Sequence, residues 1–128
     1  MAELLLDTTI LIDVLRDEPK AHRYLAGLPD ETELLTHAIV HAEILVGLAS
    51  ARELGPVDRL FRRFDLLHAN EADSLAALHW LRRLHLSHRV GFPDCLIVAT
   101  ALRRKLPVLT TNDRHFRLFK GLRVIRPY

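Results

Sequence analysis

Two patterns of apolar and polar positions alternate along this chain. Short apolar runs bounded by polar or turn residues are typical of buried β-strands, whereas apolar residues that recur every three or four positions are typical of helices. The runs predict strands at residues 3–7, 33–36, 65–68, 107–110 and 122–125. The periodic stretches predict helices at residues 8–16, 19–27, 38–50, 57–64, 71–88, 94–105 and 113–119.

The order of these elements predicts an α/β fold, because strands that alternate with helices build a parallel sheet covered on both faces. We expect a three-layer α/β/α architecture with a central, mainly parallel sheet, in one domain over residues 1–128. Right-handed crossovers would place the carboxyl end of every strand at one edge of that sheet. Side chains that directly follow the strands are therefore the first candidates for a functional site.

Two of the predicted helices have distinctive patterns. Residues 38–50 are apolar on almost every side, and Glu43 is their only charge, which predicts a buried helix. Residues 71–88 form the longest periodic stretch. Its apolar side is predicted to consist of Leu75, Leu78, Leu81 and Leu84.

The composition, with 49% hydrophobic and 27% charged residues, is that of a globular domain and excludes a disordered tail or a fibre. The single cysteine, Cys95, excludes an internal disulfide and fits a reducing compartment. The longest apolar stretch, residues 96–102, is too short to span a bilayer, and no basic segment leads into a signal sequence. We expect a cytoplasmic protein that does not enter membranes.

The two halves of the chain differ in charge. Residues 1–64 hold 7 Lys and Arg against 11 Asp and Glu, whereas residues 65–128 hold 11 against 5. Arginine outnumbers lysine 15 to 3, and the planar guanidinium group of arginine is better suited than the ammonium group of lysine to bidentate binding of phosphate. The basic half therefore favours a polyanion such as nucleic acid, and a merely solvated basic surface is the alternative.

Four carboxylates fall where the predicted sheet edge would lie. Asp7 and Asp113 each follow a predicted strand, and Asp94 begins a predicted helix, so helix capping or the helix dipole would explain any one of these three.

Glu43 needs another explanation, because neither Lys nor Arg lies three or four residues from it. If it is buried it needs a cation from elsewhere in the fold, and the alternative is that it faces solvent. Several acids that converge on one point would select Mg²⁺ or Mn²⁺, since hard cations prefer oxygen ligands.

Other chemistries have little support. His37 and His41 share one helix face, but no third ligand has zinc-site spacing. The serines do not lie in a nucleophile-elbow setting, and no glycine-rich phosphate loop exists.

Four segments in order resemble the motifs of the PIN-domain ribonucleases, most closely the VapC-type toxins of toxin–antitoxin pairs. They are LLLDTTILID at residues 4–13, HAEILVGL at 41–48, PDCLIVATA at 93–101 and LTTNDRHF at 109–116. The closing GLRV at residues 121–124 fits the family's last strand, so the resemblance covers essentially the whole chain. Pro93 and Cys95 depart from the usual residues at their positions.

The resemblance implies a PIN-like fold and an endoribonuclease that depends on Mg²⁺ or Mn²⁺. The implied catalytic and metal-binding residues are Asp7, Glu43, Asp94 and Asp113. The fourth position is either Asp113 or its neighbour Asn112, and the charge favours Asp113. Hydrogen bonds that orient these acids are expected from Thr9, Thr110 and Asn112.

Metal-activated water would cut structured RNA such as transfer or ribosomal RNA, and one-metal and two-metal chemistry both stay open. The expected phosphate contacts are Arg82, Arg83, Arg103, Arg104, Arg114 and Arg117.

The resemblance also implies partners. A homodimer and a cognate VapB-type antitoxin are expected, with a basic side chain of the antitoxin entering the acidic site. Two other functions stay open: a catalytically silent module that binds RNA or a protein, and a phosphoacceptor signalling domain. The second lacks the paired acids and the late lysine that its chemistry needs.

Overall fold

Five parallel strands form one sheet at the centre of the molecule. The computed structural model describes residues 2–128. The strands are β1 (Glu3–Leu6), β2 (Glu33–His37), β3 (Asp65–Leu67), β4 (Val108–Leu109) and β5 (Val124–Ile125). Their order is β3-β2-β1-β4-β5, and every neighbouring pair is parallel, which confirms the predicted α/β class.

Seven helices connect and cover these strands. They are α1 (Thr8–Leu15), α2 (Pro19–Ala26), α3 (Ala38–Val46), α4 (Leu54–Phe61), α5 (Glu71–His88), α6 (Phe92–Arg104) and α7 (Asp113–Phe116), with a 3₁₀ turn at Ala51–Glu53. Pro56 lies inside the first turn of α4, where its missing N–H has no helical acceptor, so this helix begins earlier than predicted. Among the helices of residues 2–128, none combines the length and apolarity needed to cross a membrane.

Strand β1 occupies the middle of the sheet because it pairs with β2 on one side and β4 on the other. Leu5 and Leu6 are completely buried, as are Ile10 and Leu11 of α1. Asp7 joins these two buried elements and therefore lies at the centre of the sheet's carboxyl edge.

The predicted burial of the two distinctive helices is partly wrong. Val46 is 86% exposed and Glu43 also lies on the outer part of α3, so only one side of this helix faces the core. In α5, Leu75 and Leu78 are exposed, whereas Asp73 and Ala77 are buried. Apolar residues on every side of a helix do not determine which side has a neighbour to pack against.

A buried hydrogen-bond network ties β2, α5 and α6 together. Buried Asp73 accepts two hydrogen bonds from Arg103, at 2.7 and 2.8 Å, and one of 3.1 Å from the hydroxyl of Thr100. Nε2 of His37 lies 3.0 Å from the same hydroxyl. Burial acts to raise the pKa of Asp73, but the bonds from Arg103, Asn70 and Thr100 outweigh it and lower the pKa.

Candidate active site

Asp7 is the most buried of the four predicted acids. Its carboxylate makes no capping bond to α1, although it precedes that helix directly. Instead, Oδ2 accepts a 2.8 Å hydrogen bond from the hydroxyl of Thr110 and a 3.4 Å bond from that of Thr9. Burial raises the pKa of Asp7, and the bond from Thr110 partly opposes this rise.

The two threonines are also joined to each other and to the loop after β4. Their hydroxyl oxygens are 3.3 Å apart, and both also accept main-chain N–H groups, from Thr111 at 3.1 Å and from Asn112 at 2.9 Å. The loop after β4 is thereby tied to the carboxylate that follows β1.

Glu43 and Asp94 reach the same region from α3 and α6. The pKa of Asp94 is raised to about 7, mainly by burial and further by the negative charges of Asp7 and Glu43. Burial also raises the pKa of Glu43, with an added effect from Asp7. Because carboxylates act on one another's pKa through space, these three predicted acids lie in one region of the fold.

Thr8 holds Glu43 and was missed by the sequence analysis. Its hydroxyl donates a 3.1 Å hydrogen bond to Oε1 of Glu43, across 35 positions of the chain. The only sequence signal is its place between Asp7 and Thr9, and which way its side chain turns depends on the packing of α1 against α3.

The carboxylate of Asp113 binds two arginines, whereas the sequence analysis favoured it as the fourth acid of the site. Its carboxylate accepts a 2.9 Å bond from Arg126 and a 3.3 Å bond from Arg117, and the bond from Arg126 is the main cause of its lowered pKa. The two guanidinium groups already neutralise the charge that favoured Asp113 over Asn112. The side-chain nitrogen of Asn112 lies 3.3 Å from Nδ1 of His115.

His115 brings an imidazole close to the acids. Its Nδ1 lies 4.0 Å from Oδ2 of Asp94. The sequence analysis did not single it out, although it stands within the fourth motif segment.

The predicted RNA contacts differ in what they already bind. Arg103 holds buried Asp73 through two bonds and thus has a structural role that was not predicted. Arg117 pairs with Asp113, and the guanidinium of Arg83 lies 5.7 Å from the ring centre of Trp80. Arg104 is ten residues beyond Asp94 on α6, about 15 Å along the helix, so it lies far from the acids. Contact of any of these residues with RNA stays a prediction.

Two depressions adjoin the acids. The first, which we call the groove, has a volume of about 410 Å³ and is lined from α1, α3 and α4 by apolar side chains, by Glu43 and Glu53, and by Arg16. The second, which we call the cavity, has a volume of about 440 Å³ and is lined by His88, Asn112, Arg114, His115 and Leu118.

The site fits a hard divalent cation by its donors, since carboxylate and hydroxyl oxygens surround Asp7 and Glu43. Within residues 2–128, however, no three His, Cys, Asp or Glu side chains stand in ready metal-binding geometry. The acids are close enough to repel one another, but binding an ion would require them to draw together.

Comparisons with known proteins show the family of this chain. The PIN domain family matches residues 4–122. The chain is 36% identical over 120 residues to ribonuclease VapC19 of Mycobacterium tuberculosis, covering 92% of this chain and 95% of that protein. It is 33% identical over 121 residues to ribonuclease VapC10 of the same organism, covering 94% and 90%.

A solved structure shows the same fold over the full length. A chain of the DNA-bound VapBC complex of Salmonella typhimurium superposes with a TM-score of 0.83 at 25% identity, covering 100% of both chains. The sheet order, the placement of the acids and these relatives lead to one conclusion: the chain belongs to the PIN-domain family, among its VapC-type ribonuclease toxins.

Proposed function

We propose that this chain is an endoribonuclease that needs Mg²⁺ or Mn²⁺ and acts as the toxin of a toxin–antitoxin pair in the cytoplasm. The observation that carries the proposal is the proximity of Asp7, Glu43 and Asp94: the charge of Asp7 raises the pKa of Glu43, and the charges of Asp7 and Glu43 raise that of Asp94. Carboxylates gathered in this way destabilise a fold unless a cation neutralises them. The related VapC19 and VapC10 are named ribonucleases.

Asp7, Glu43 and Asp94 would hold the metal, which when bound supplies an activated water and neutralises charge on the phosphate. Thr110 and Thr9 keep the carboxylate of Asp7 in one orientation, and Thr8 does the same for Glu43. Asp94 must be ionised to contribute its charge, and a bound cation favours that form.

The substrate we propose is a structured RNA, either transfer or ribosomal. The basic second half supports this choice, because arginines that contact phosphates position a nucleic acid without reading its sequence. Cleavage by water would leave a 3′-hydroxyl and a 5′-phosphate.

We assign the groove to the VapB-type antitoxin. Ile12, Ile44 and Leu48 offer it an apolar surface, while Glu43 and Glu53 offer charge to a basic side chain.

A second copy of the chain would cover other apolar residues, since Leu75 and Leu86 are 63% and 91% exposed. Light scattering on the purified chain tests for the homodimer, and a monomeric mass contradicts it.

The test of the nuclease is cleavage of transfer and ribosomal RNA with Mg²⁺, with Mn²⁺ and with a chelator. We expect cleavage only with metal, and its loss in the E43Q variant. A matched control is D30N, which changes an exposed acid in the turn before β2 and should cleave normally. If the parent binds RNA but never cuts it with either metal, the chain is the catalytically silent module instead.

A further inference from the structure

The cavity differs from the neighbouring acidic centre because its lining carries no carboxylate. Its five lining residues include one guanidinium, from Arg114, and two imidazoles, from His88 and His115. Leu118 adds an apolar surface, and Asn112 adds an amide. The volume of about 440 Å³ lies in the range of small-ligand sites, roughly 300–1,000 Å³.

The cavity lies directly beside the acids. Nδ1 of His115, one of its walls, is 4.0 Å from Oδ2 of Asp94. Asn112, another wall, donates its main-chain N–H to Thr110, which in turn donates to Asp7. A group held in the cavity would therefore be a neighbour of any group that the acids hold.

The positive charge that Arg114 brings to this cavity is not neutralised by an ion pair within the described residues. Throughout the described residues, 2–128, Arg114 forms no ion pair, whereas Arg117 pairs with Asp113 and Arg103 with Asp73. His88 is exposed, and only its Nδ1 has a partner, the hydroxyl of Ser87 at 2.7 Å.

We propose that the cavity lined by His88, Asn112, Arg114, His115 and Leu118 is the subsite for the RNA nucleotide next to the bond that is cut. Arg114 binds its phosphate, and the base packs between the imidazoles and Leu118. Imidazole rings and guanidinium planes are the side chains on which unpaired RNA bases stack, and phosphate contacts come mainly from arginine. This subsite rests on the proposed nuclease function, because it lies next to the cleaved bond only if the acids act on the neighbouring phosphate.

The test measures binding apart from cleavage. The E43Q background keeps RNA intact, and a fluorescein-labelled oligouridylate reports affinity by anisotropy. We expect H88A and R114A each to weaken binding about tenfold, in line with the loss of one base-stacking or phosphate contact.

Two matched controls should bind within about twofold of the E43Q background. H79A removes an exposed histidine from the same helix, α5, outside the cavity. R123A removes an exposed arginine that directly precedes β5, at the opposite edge of the sheet from the acids. In a second readout, uridine monophosphate should shift the histidine resonances of His88 and His115 but not that of His79.

Equal losses for R114A and R123A, or unchanged binding in H88A and R114A, would overturn the subsite. Absent binding of the oligouridylate to the E43Q protein would overturn it as well. The nuclease proposal fails on a separate result, absence of RNA cleavage by the parent protein with either metal, which leaves the binding measurements on the E43Q protein standing.

Discussion

The groove and the cavity are similar in size but opposite in chemistry. The groove combines apolar side chains from three helices with two carboxylates and one arginine, whereas the cavity combines imidazoles, a guanidinium and an amide. Glu43 lines the first, and Asp94 lies 4.0 Å from a wall of the second. In the function we propose, one acidic centre serves a peptide from one side and a polyanion from the other, because the neighbouring side chains decide which one binds.

The largest effect should come from the acids that both depressions adjoin. We expect D7N, E43Q and D94N each to lower RNA cleavage by a factor of about 100–1,000 or more, and the triple variant to lose little beyond any single one. The reason is that ligands of one centre act as a unit. Single-turnover assays measure this, with circular dichroism to show that the variants fold. Normal cleavage by D94N would remove Asp94 from the centre.

A substitution that fills the groove should distinguish the role of the groove from that of the cavity. Gly47 lines the groove with an ordinary helical backbone, φ −80°, and a Cβ atom there would make only ordinary contacts, at 3.5 and 3.6 Å, with the main-chain oxygens of Glu43 and Ile44. We expect G47L to weaken binding of the cognate antitoxin by about 10- to 100-fold while cleavage persists.

The matched control for that variant is G27L. Gly27 ends α2 with nearly the same backbone conformation, φ −82°, and does not line the groove. Titration of the antitoxin in a cleavage assay compares the two variants. Equal inhibition of G47L and G27L would place the antitoxin elsewhere.

The salt dependence of RNA binding should distinguish arginines that look alike in the sequence. If about four arginines contact single-stranded phosphates, the logarithm of the affinity falls with that of salt at a slope near −3, from ~0.7 per contact. We expect R114A to flatten this slope by about 0.7. R103A should keep the slope but lower thermal stability, because buried Asp73 loses its partner.

The metal-free protein should lose stability as pH rises. The pKa of Asp94 is about 7 in the folded protein against an ordinary 3.8, so between these values the folded state holds more protons than the unfolded state. Its unfolding temperature should therefore fall from about pH 4 to about pH 7. Thermal scans with a chelator should show a smaller decline for D94N, and a decline equal to the parent's would contradict the assignment.

The smallest effect should come from the fourth position. Because Arg117 and Arg126 already bind Asp113, we expect D113N to cleave almost normally. N112A should instead weaken RNA binding, since Asn112 lines the cavity. The same cleavage and anisotropy assays test both, and an inactive D113N would restore Asp113 as the fourth acid.

Local pattern predicted the α/β class and the position of Asp7 at the carboxyl edge of the sheet. Asp7 directly follows the apolar run of β1, and parallel connections bring the ends of such strands to one edge whatever the details of packing. The positions of Glu43 and Asp94 rested further on the family motifs around them, at 41–48 and 93–101.

The tertiary structure alone decided which charges pair over long distances along the chain. Arg103 meets Asp73 across 30 positions and Arg126 meets Asp113 across 13, and no periodicity encodes such pairs. The exposure of α3 likewise depends on which helices pack against it. A sequence specifies each residue's chemistry and local conformation, whereas a contact between distant residues depends on how whole elements pack together. The charge of Asp113 therefore predicted a metal ligand, but packing places its carboxylate between two arginines.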